Sequence, residues 1–144
     1  MPAWIAAGWD DYALRLPREI QLELVELKPE PRDRGKPVAE ILATEASRIV
    51  AACRGATVVA LDEFGTPWST RDLAGQLRRW RDEARDIAFV IGSADGLDPA
   101  LKRQASARFS LSALTLPHGL VRVLLAEQIY RATSLLAGHP YHRD

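Results

Sequence analysis

All three histidines of this 144-residue chain, His118, His139 and His142, fall in its last 27 residues. They lie within the run Leu111-Ser-Ala-Leu-Thr-Leu-Pro-His-Gly-Leu-Val-Arg122 and the terminal His139-Pro-Tyr-His-Arg-Asp144. An imidazole changes charge near neutral pH, and Tyr141 and Arg143 place an aromatic face and a fixed cation on either side of His142. Such a triplet can hold a planar substrate, move one proton and steady a developing anion. The chemistry is expected at the C-terminus.

Several site types do not fit. His139 and His142 could share a metal with His118, but no convergent carboxylate or thiolate set accompanies them, so no metal is expected. Ser110 and Ser112 precede His118 without the G-x-S-x-G elbow of a hydrolase. Cys53 is the only cysteine, which rules out an intramolecular disulfide framework and a multi-cysteine zinc site. Gly92-Ser-Ala-Asp-Gly96 is not a G-x-G-x-x-G turn, and no G-x-x-x-x-G-K-[ST] loop exists, so a dinucleotide or a nucleoside triphosphate is disfavoured. A phosphate-free adenosine, gripped by backbone amides, carbonyls and apolar walls, fits better.

Composition sets the frame for these residues. Lysine plus arginine equals aspartate plus glutamate at 19 each, so no global field draws the chain to nucleic acid or a membrane, and RNA recognition would have to be local. The length favours one domain spanning 1–144. No apolar stretch approaches the ~20 residues of a membrane helix, and the start lacks the features of a signal peptide. A soluble, cytoplasmic protein is expected.

The elements that must position the site alternate. Trp4, Ile5, Trp9, Tyr12 and Leu16 recur at helical spacing, and Ile20, Leu22 and Leu24 alternate with polar residues as in a strand. The charged, proline-rich segment from Lys28 to Pro37 reads as a loop. A second helix spans Val38 to Cys53, and Ala56–Leu61 is an apolar run suited to a buried strand. Ser69 and Asp72 resemble a capping box for a helix with the stripe Leu73, Leu77, Trp80 and Ala84. Ile87–Ile91 is the next strand, Asp98-Pro99 starts a short helix, Phe109–Leu116 is a further strand, and Gly119–Ala137 the last helix. The alternation predicts an α/β domain with a mainly parallel sheet. The tryptophans are expected to pack in the core or under loops. The basic flank Arg78, Arg79, Arg81 and Arg85 is expected to be a solvated face, with a phosphate contact as the alternative.

Three predicted strands end in unusual turns: Leu61-Asp-Glu-Phe-Gly65-Thr-Pro, Gly92-Ser-Ala-Asp-Gly96, and Leu116-Pro-His-Gly119. Ligands of open parallel sheets bind outside the carboxyl ends of the strands, so these turns could line one crevice. On the last helix Arg122 projects from an apolar face among Leu125, Ala126, Ile129 and Leu136. A guanidinium there needs a partner, either a structural carboxylate or a ligand or subunit contact.

Taken together, several motifs closely resemble the bacterial ribosomal RNA large subunit methyltransferase H family of the SPOUT class. They are Leu61-Asp-x-x-Gly65, Pro67-Trp68, Phe89-Val-Ile-Gly92-x-x-x-Gly96-Leu, Ser110–His118, Leu120-Val-Arg122, Glu127-Gln-Ile-Tyr130-Arg131 and His139–Arg143. The resemblance implies an α/β knot with a C-terminal trefoil knot, a homodimer, and S-adenosylmethionine as cofactor. It implies methylation of N3 of a pseudouridine in 23S rRNA, taken as part of the assembled ribosome. By the same resemblance Leu61, Gly92, Leu111, Ser112, Ala113, Leu114, Thr115 and Leu116 hold the cofactor. One subunit's tail completes the other's pocket, and Tyr141, His142 and Arg143 meet the RNA. Tyr141 would position the nucleoside, His142 assist loss of the N3 proton, and Arg143 stabilise the anion or grip a phosphate. His118 would shape the cofactor loop and His139 order the tail.

Two features depart from the family pattern. Members usually carry Gly-Gly-Pro-Glu-Gly where this chain has Gly92-Ser-Ala-Asp-Gly96. The family also places a short strand before the first helix, whereas Met1 here lies at that helix, so an unfilled sheet position is expected. An RNA-binding protein without catalysis would need the tail but no adenosine pocket. A different small-molecule enzyme would need a pocket but not the Tyr-His-Arg tail.

Overall fold

A computed structural model describes residues 1–33 and 35–141. Helix α1 spans Ala3–Ala13 and α2 Val38–Ala52; strand β1 (Thr57–Pro67) is followed by α3 (Thr70–Asp82), β2 (Ile87–Val90), α4 (Pro99–Gln104), β3 (Ala107–Ser110) and α5 (His118–Leu136). The strands form a parallel sheet in the order β2-β1-β3. Successive β1 side chains point to opposite faces, and both faces are covered. Val59 packs with Leu73, Trp80, Phe109, Leu125 and Ile129 beneath α3 and α5, while Ala60 packs with Val90, Leu97 and Leu101 beneath α2 and α4. Burial on both sides explains why these strands read as continuous apolar runs.

Local chemistry fixes several element ends. The Ser69 hydroxyl accepts from the Asp72 N–H, and the Asp72 carboxylate accepts from the Ser69 N–H, which makes the reciprocal capping box. The Asp98 carboxylate accepts from the N–H groups of Ala100 and Leu101, with Pro99 at the first helical position. At the end of α5, Gly138 takes φ +71°; its N–H donates to the Leu135 carbonyl and the His139 N–H to the Ser134 carbonyl. This left-handed cap turns the chain back toward its own helix.

Three expectations are corrected. Residues 20–24 form no strand, although their side chains alternate between exposed and half-buried. Alternation reports which way side chains face, but a strand also needs a backbone partner, and none of the described residues supplies one. The third strand covers Ala107–Ser110, not 109–116. Its ladder ends because the Ser110 hydroxyl donates to the Ser112 and Glu63 carbonyls, while the Ser112 hydroxyl accepts from the Leu114 N–H. Hydroxyl–backbone bonds of this kind compete with a ladder. Trp4 is largely exposed, unlike Trp9 and Trp80.

A cavity of about 1280 Å³ adjoins the sheet, between the edge of β2 and the segment from Arg18 to Glu30. Leu77, Trp80, Leu125 and Ile129 line one side of it, and Leu42, Ala46 and Ile49 the other.

Candidate functional site

Parallel register brings three strand ends to one edge of the sheet. Leu61 pairs with Phe109, and the preceding Ala60 pairs with Val90. Gly92 follows Val90 by two residues, and Leu111 follows Phe109 by two. The eight residues expected to hold a cofactor thus lie on β1 or just beyond the carboxyl ends of β2 and β3.

β1 makes an excursion at this edge. Leu61 and Thr66 both oppose Phe109, so the residues from Asp62 to Gly65 loop out of the ladder. The loop leans on the segment after β3: the Ser110 hydroxyl donates to the Glu63 carbonyl, and the Thr115 hydroxyl donates to the Glu63 carboxylate at 3.1 Å. Phe64 and Leu114 stand out beside these contacts at 84% and 72% exposure. Among the described residues, the N–H groups of Ala113, Thr115 and Leu116 make no hydrogen bond. Free amides next to exposed apolar side chains suit a purine nucleoside, which needs both directional bonds and apolar walls.

The turn after β2 is tight. The Gly96 N–H donates to the Ser93 carbonyl, and a Cβ at Gly92 would lie 2.5 Å from the Gly96 carbonyl carbon. Glycine at 92 is required by this backbone approach. The turn is held from outside by a network the sequence did not reveal. Arg32 bonds Asp95 at 3.0 Å and the Ser93 hydroxyl at 2.9 Å, and it pairs with Glu45 at 2.8 Å. Ser93 also donates to Glu45. Burial pushes the Glu45 carboxyl up, but Arg32, the Glu30 N–H and the Ser93 hydroxyl outweigh it and hold the group below its ordinary value. In the same loop Glu30 is lowered by hydrogen bonds from Lys36 and then Arg48.

Arg122 finds its partner in Glu26 at 3.1 Å. Of the two alternatives, the contact within this chain is a structural ion pair tying the 18–30 segment to α5. The hydrogen bond from Arg122, and then its charge, lower the Glu26 carboxyl. A depressed carboxylate contributes stability that is fully present above its unfolded pKa near 4.5 and is lost as pH falls through its lower folded value. Urea denaturation midpoints are therefore expected to hold steady from pH 7 to 5 and fall below about pH 4.5. Glu26→Gln should flatten part of that fall.

Tyr141 lies apart from the strand-end crevice. Its ring meets Tyr130 edge-on at 4.6 Å between centroids, Arg131 sits 4.9 Å from its ring centre, and its hydroxyl donates to Glu127 at 3.3 Å. Burial, then the charge of Glu127, raises its phenol, so Tyr141 stays neutral and acts as a hydrogen-bond donor. Glu127 is nine residues beyond His118, about 13 Å along the axis of α5. His118 is exposed at the start of that helix, next to the 111–117 segment. His139 accepts from the Tyr141 N–H and so orders the beginning of the tail. His142 and Arg143 lie outside the described residues.

Among the described residues no group of three or more His, Cys, Asp or Glu side chains could hold a metal, and no helix is long and apolar enough to cross a membrane.

The family model described as "Predicted SPOUT methyltransferase" matches residues 1–142. A protein of Nitrosospira multiformis named ribosomal RNA large subunit methyltransferase H is 56% identical over 147 residues, covering 99% of this chain and 92% of that protein. Proteins of the same name from Paraburkholderia xenovorans and Burkholderia multivorans are each 54% identical over 144 residues, with the same coverage. A match along essentially the whole chain shows that it belongs to the ribosomal RNA large subunit methyltransferase H family of SPOUT methyltransferases.

Proposed function

We propose that this chain transfers the methyl group of S-adenosylmethionine to N3 of a pseudouridine in 23S rRNA, working in the cytoplasm as a homodimer with a C-terminal trefoil knot. The observation that carries the donor site is the convergence of Leu61, Gly92 and the segment Leu111–Leu116 at one sheet edge, with free amides at Ala113, Thr115 and Leu116. No phosphate cradle is needed by a donor with none. S-adenosylmethionine supplies an electrophilic sulfonium methyl. Leu111–Leu116 would bind the adenosine through backbone amides, with Phe64 and Leu114 as apolar walls.

At the acceptor, the N3–H bond breaks as the N3–methyl bond forms, and the S–methyl electron pair stays on sulfur. The proton needs a resting place and the nitrogen an in-line position. His142 takes the proton or orients the base, and Arg143 steadies the developing anion. Tyr141 remains neutral and fixes where the tail leaves α5. Because Tyr141 packs on its own α5 about half the length of that helix away from the crevice, the dimer arrangement, in which one tail serves the other subunit's crevice, accounts best for the separation.

The test is methyl transfer from radiolabelled S-adenosylmethionine to intact ribosomes and to free rRNA lacking the modification, with nucleoside mass spectrometry of the product. One methyl per ribosome at pseudouridine N3 is expected. Absence of transfer to both substrates would overturn the reading.

A further inference from the structure

The turn from Gly92 to Gly96 forms one wall of the proposed donor site, yet its own backbone does little to hold it. It is closed by a single bridge between Ser93 and Gly96. Its side-chain anchors come from far away in sequence. Arg32 reaches the Asp95 carboxylate with two nitrogens at 3.2 and 3.0 Å, the Ser93 hydroxyl at 2.9 Å and Glu45 at 2.8 Å. Glu45, on α2 with 11% of its side chain exposed, accepts from Arg32, from Ser93 and from the Glu30 N–H. One planar guanidinium thus joins the turn, the helix and the proline-rich loop.

A point charge could not do this. The guanidinium fork presents several donors in a fixed plane, so it sets the position of Ser93 and Asp95 relative to α2 as well as attracting them. The serine hydroxyl at 93 is also what lets Glu45 share the turn.

We propose that Arg32, with Glu45 beneath it, is a positioning residue that holds the Gly92–Gly96 turn in the conformation that receives the methyl donor. This rests on the reading of the strand-end crevice as the donor site. Arg32 touches neither donor nor acceptor; it acts through Asp95 and Ser93. The second ion-pair set of the same loop, Glu30 with Lys36 and Arg48, anchors the loop to α2 without a bond to the turn. That difference allows a clean test.

The probe is S-adenosylhomocysteine, titrated calorimetrically, alongside KM for S-adenosylmethionine and for ribosomes. Arg32→Ala is expected to weaken the probe about tenfold and to raise the donor KM by a similar factor, with the ribosome KM unchanged. Asp95→Asn should weaken it severalfold, and the double variant should be no worse than Arg32→Ala alone, because both act through one contact. Arg32→Lys should recover part of the loss. Lys36→Ala should bind the probe as the parent chain does. Parent-like binding by Arg32→Ala, additivity of the two changes, or an equal loss in Lys36→Ala would each overturn the proposal. Failure of the parent chain itself to bind the probe would instead refute the donor-site reading on which it rests.

Discussion

Removing Tyr141–Asp144 is expected to lower methyl transfer by about a thousandfold or more while leaving the protomer folded. Losing a proton acceptor costs about 10²–10⁴ in rate, and losing a cation aimed at a developing anion costs about 10²–10³. Residues acting on one transition state do not add fully, so the deletion should resemble the worse single change more than the product. The residues preceding the deletion keep their own support, since Gly138 and His139 close the last turn of α5 with bonds to Leu135 and Ser134. Single changes separate the roles. Tyr141→Phe loses only the hydrogen bond to Glu127 and keeps the ring against Tyr130 and Arg131, so its rate should stay within about threefold. His142→Ala should lose at least a hundredfold, with a changed pH profile. If one tail serves the other subunit's crevice, mixing the deletion variant with a Gly92→Ala chain should restore transfer at one site of the heterodimer. Undiminished transfer by the tail deletion would remove the C-terminus from the mechanism altogether.

The second large effect concerns the cavity beside β2. An apolar strand of about six residues, the usual strand length, joined ahead of Met1 should raise the melting temperature by roughly 10 °C, measured calorimetrically against the 144-residue chain. Three observations support the position. The edge of β2 and the segment 18–30 both line the cavity, and the segment from Gln21 to Leu27 makes no backbone–backbone hydrogen bond among the described residues. The Thr133 hydroxyl, buried in the lining, has no partner among them either. Met1 touches Arg122, which lines the same cavity, so a segment joined there starts at its mouth. Each buried Val or Leu contributes about 1.5–3 kcal/mol, offset by about 1–2 kcal/mol per residue of ordering, leaving a few kcal/mol in favour. A charged control strand of equal length should leave the melting temperature unchanged. Equal effects of both strands would show that the cavity is not a strand position.

Legibility followed the range of the interactions involved. Ser69 with Asp72, and Asp98 with Pro99, act within three residues, and their helices begin where the spacing predicted. The Gly92–Gly96 turn was legible because a parallel strand buried on both faces leaves an apolar run with an abrupt end, whereas Leu61–Pro67 lies within β1 and the turn at Leu116 comes six residues after β3 has ended at Ser110. The run Phe109–Leu116 imitates a strand through Leu111, Leu114 and Leu116; only the hydroxyl bonds of Ser110 and Ser112 show that the backbone leaves the sheet after Ser110. Arg122 announced that it needed a partner, but Glu26 lies 96 residues away and no local pattern names it. The Arg32 network was missed for the same reason, spanning 61 to 63 residues. The density of opposite charges between Lys28 and Lys36, at a place too proline-rich for a helix, was the available signal.

Helix α1 has a further consequence for how the chain is made. Its buried Ile5 and Trp9 lie in the helix that packs along α5, where Tyr12 meets Tyr130. Helix α1 therefore finds its main partner far along the chain. About a hundred residues separate Ala13 from His118, so at 5–20 residues per second α1 waits on the order of 5–20 s with its apolar face uncovered. Arg122 and Glu26 impose the same delay on the 18–30 segment. A nascent chain stalled before α5 should accordingly remain protease-sensitive at α1 and at the 18–30 segment, both of which close onto the domain only once α5 has emerged.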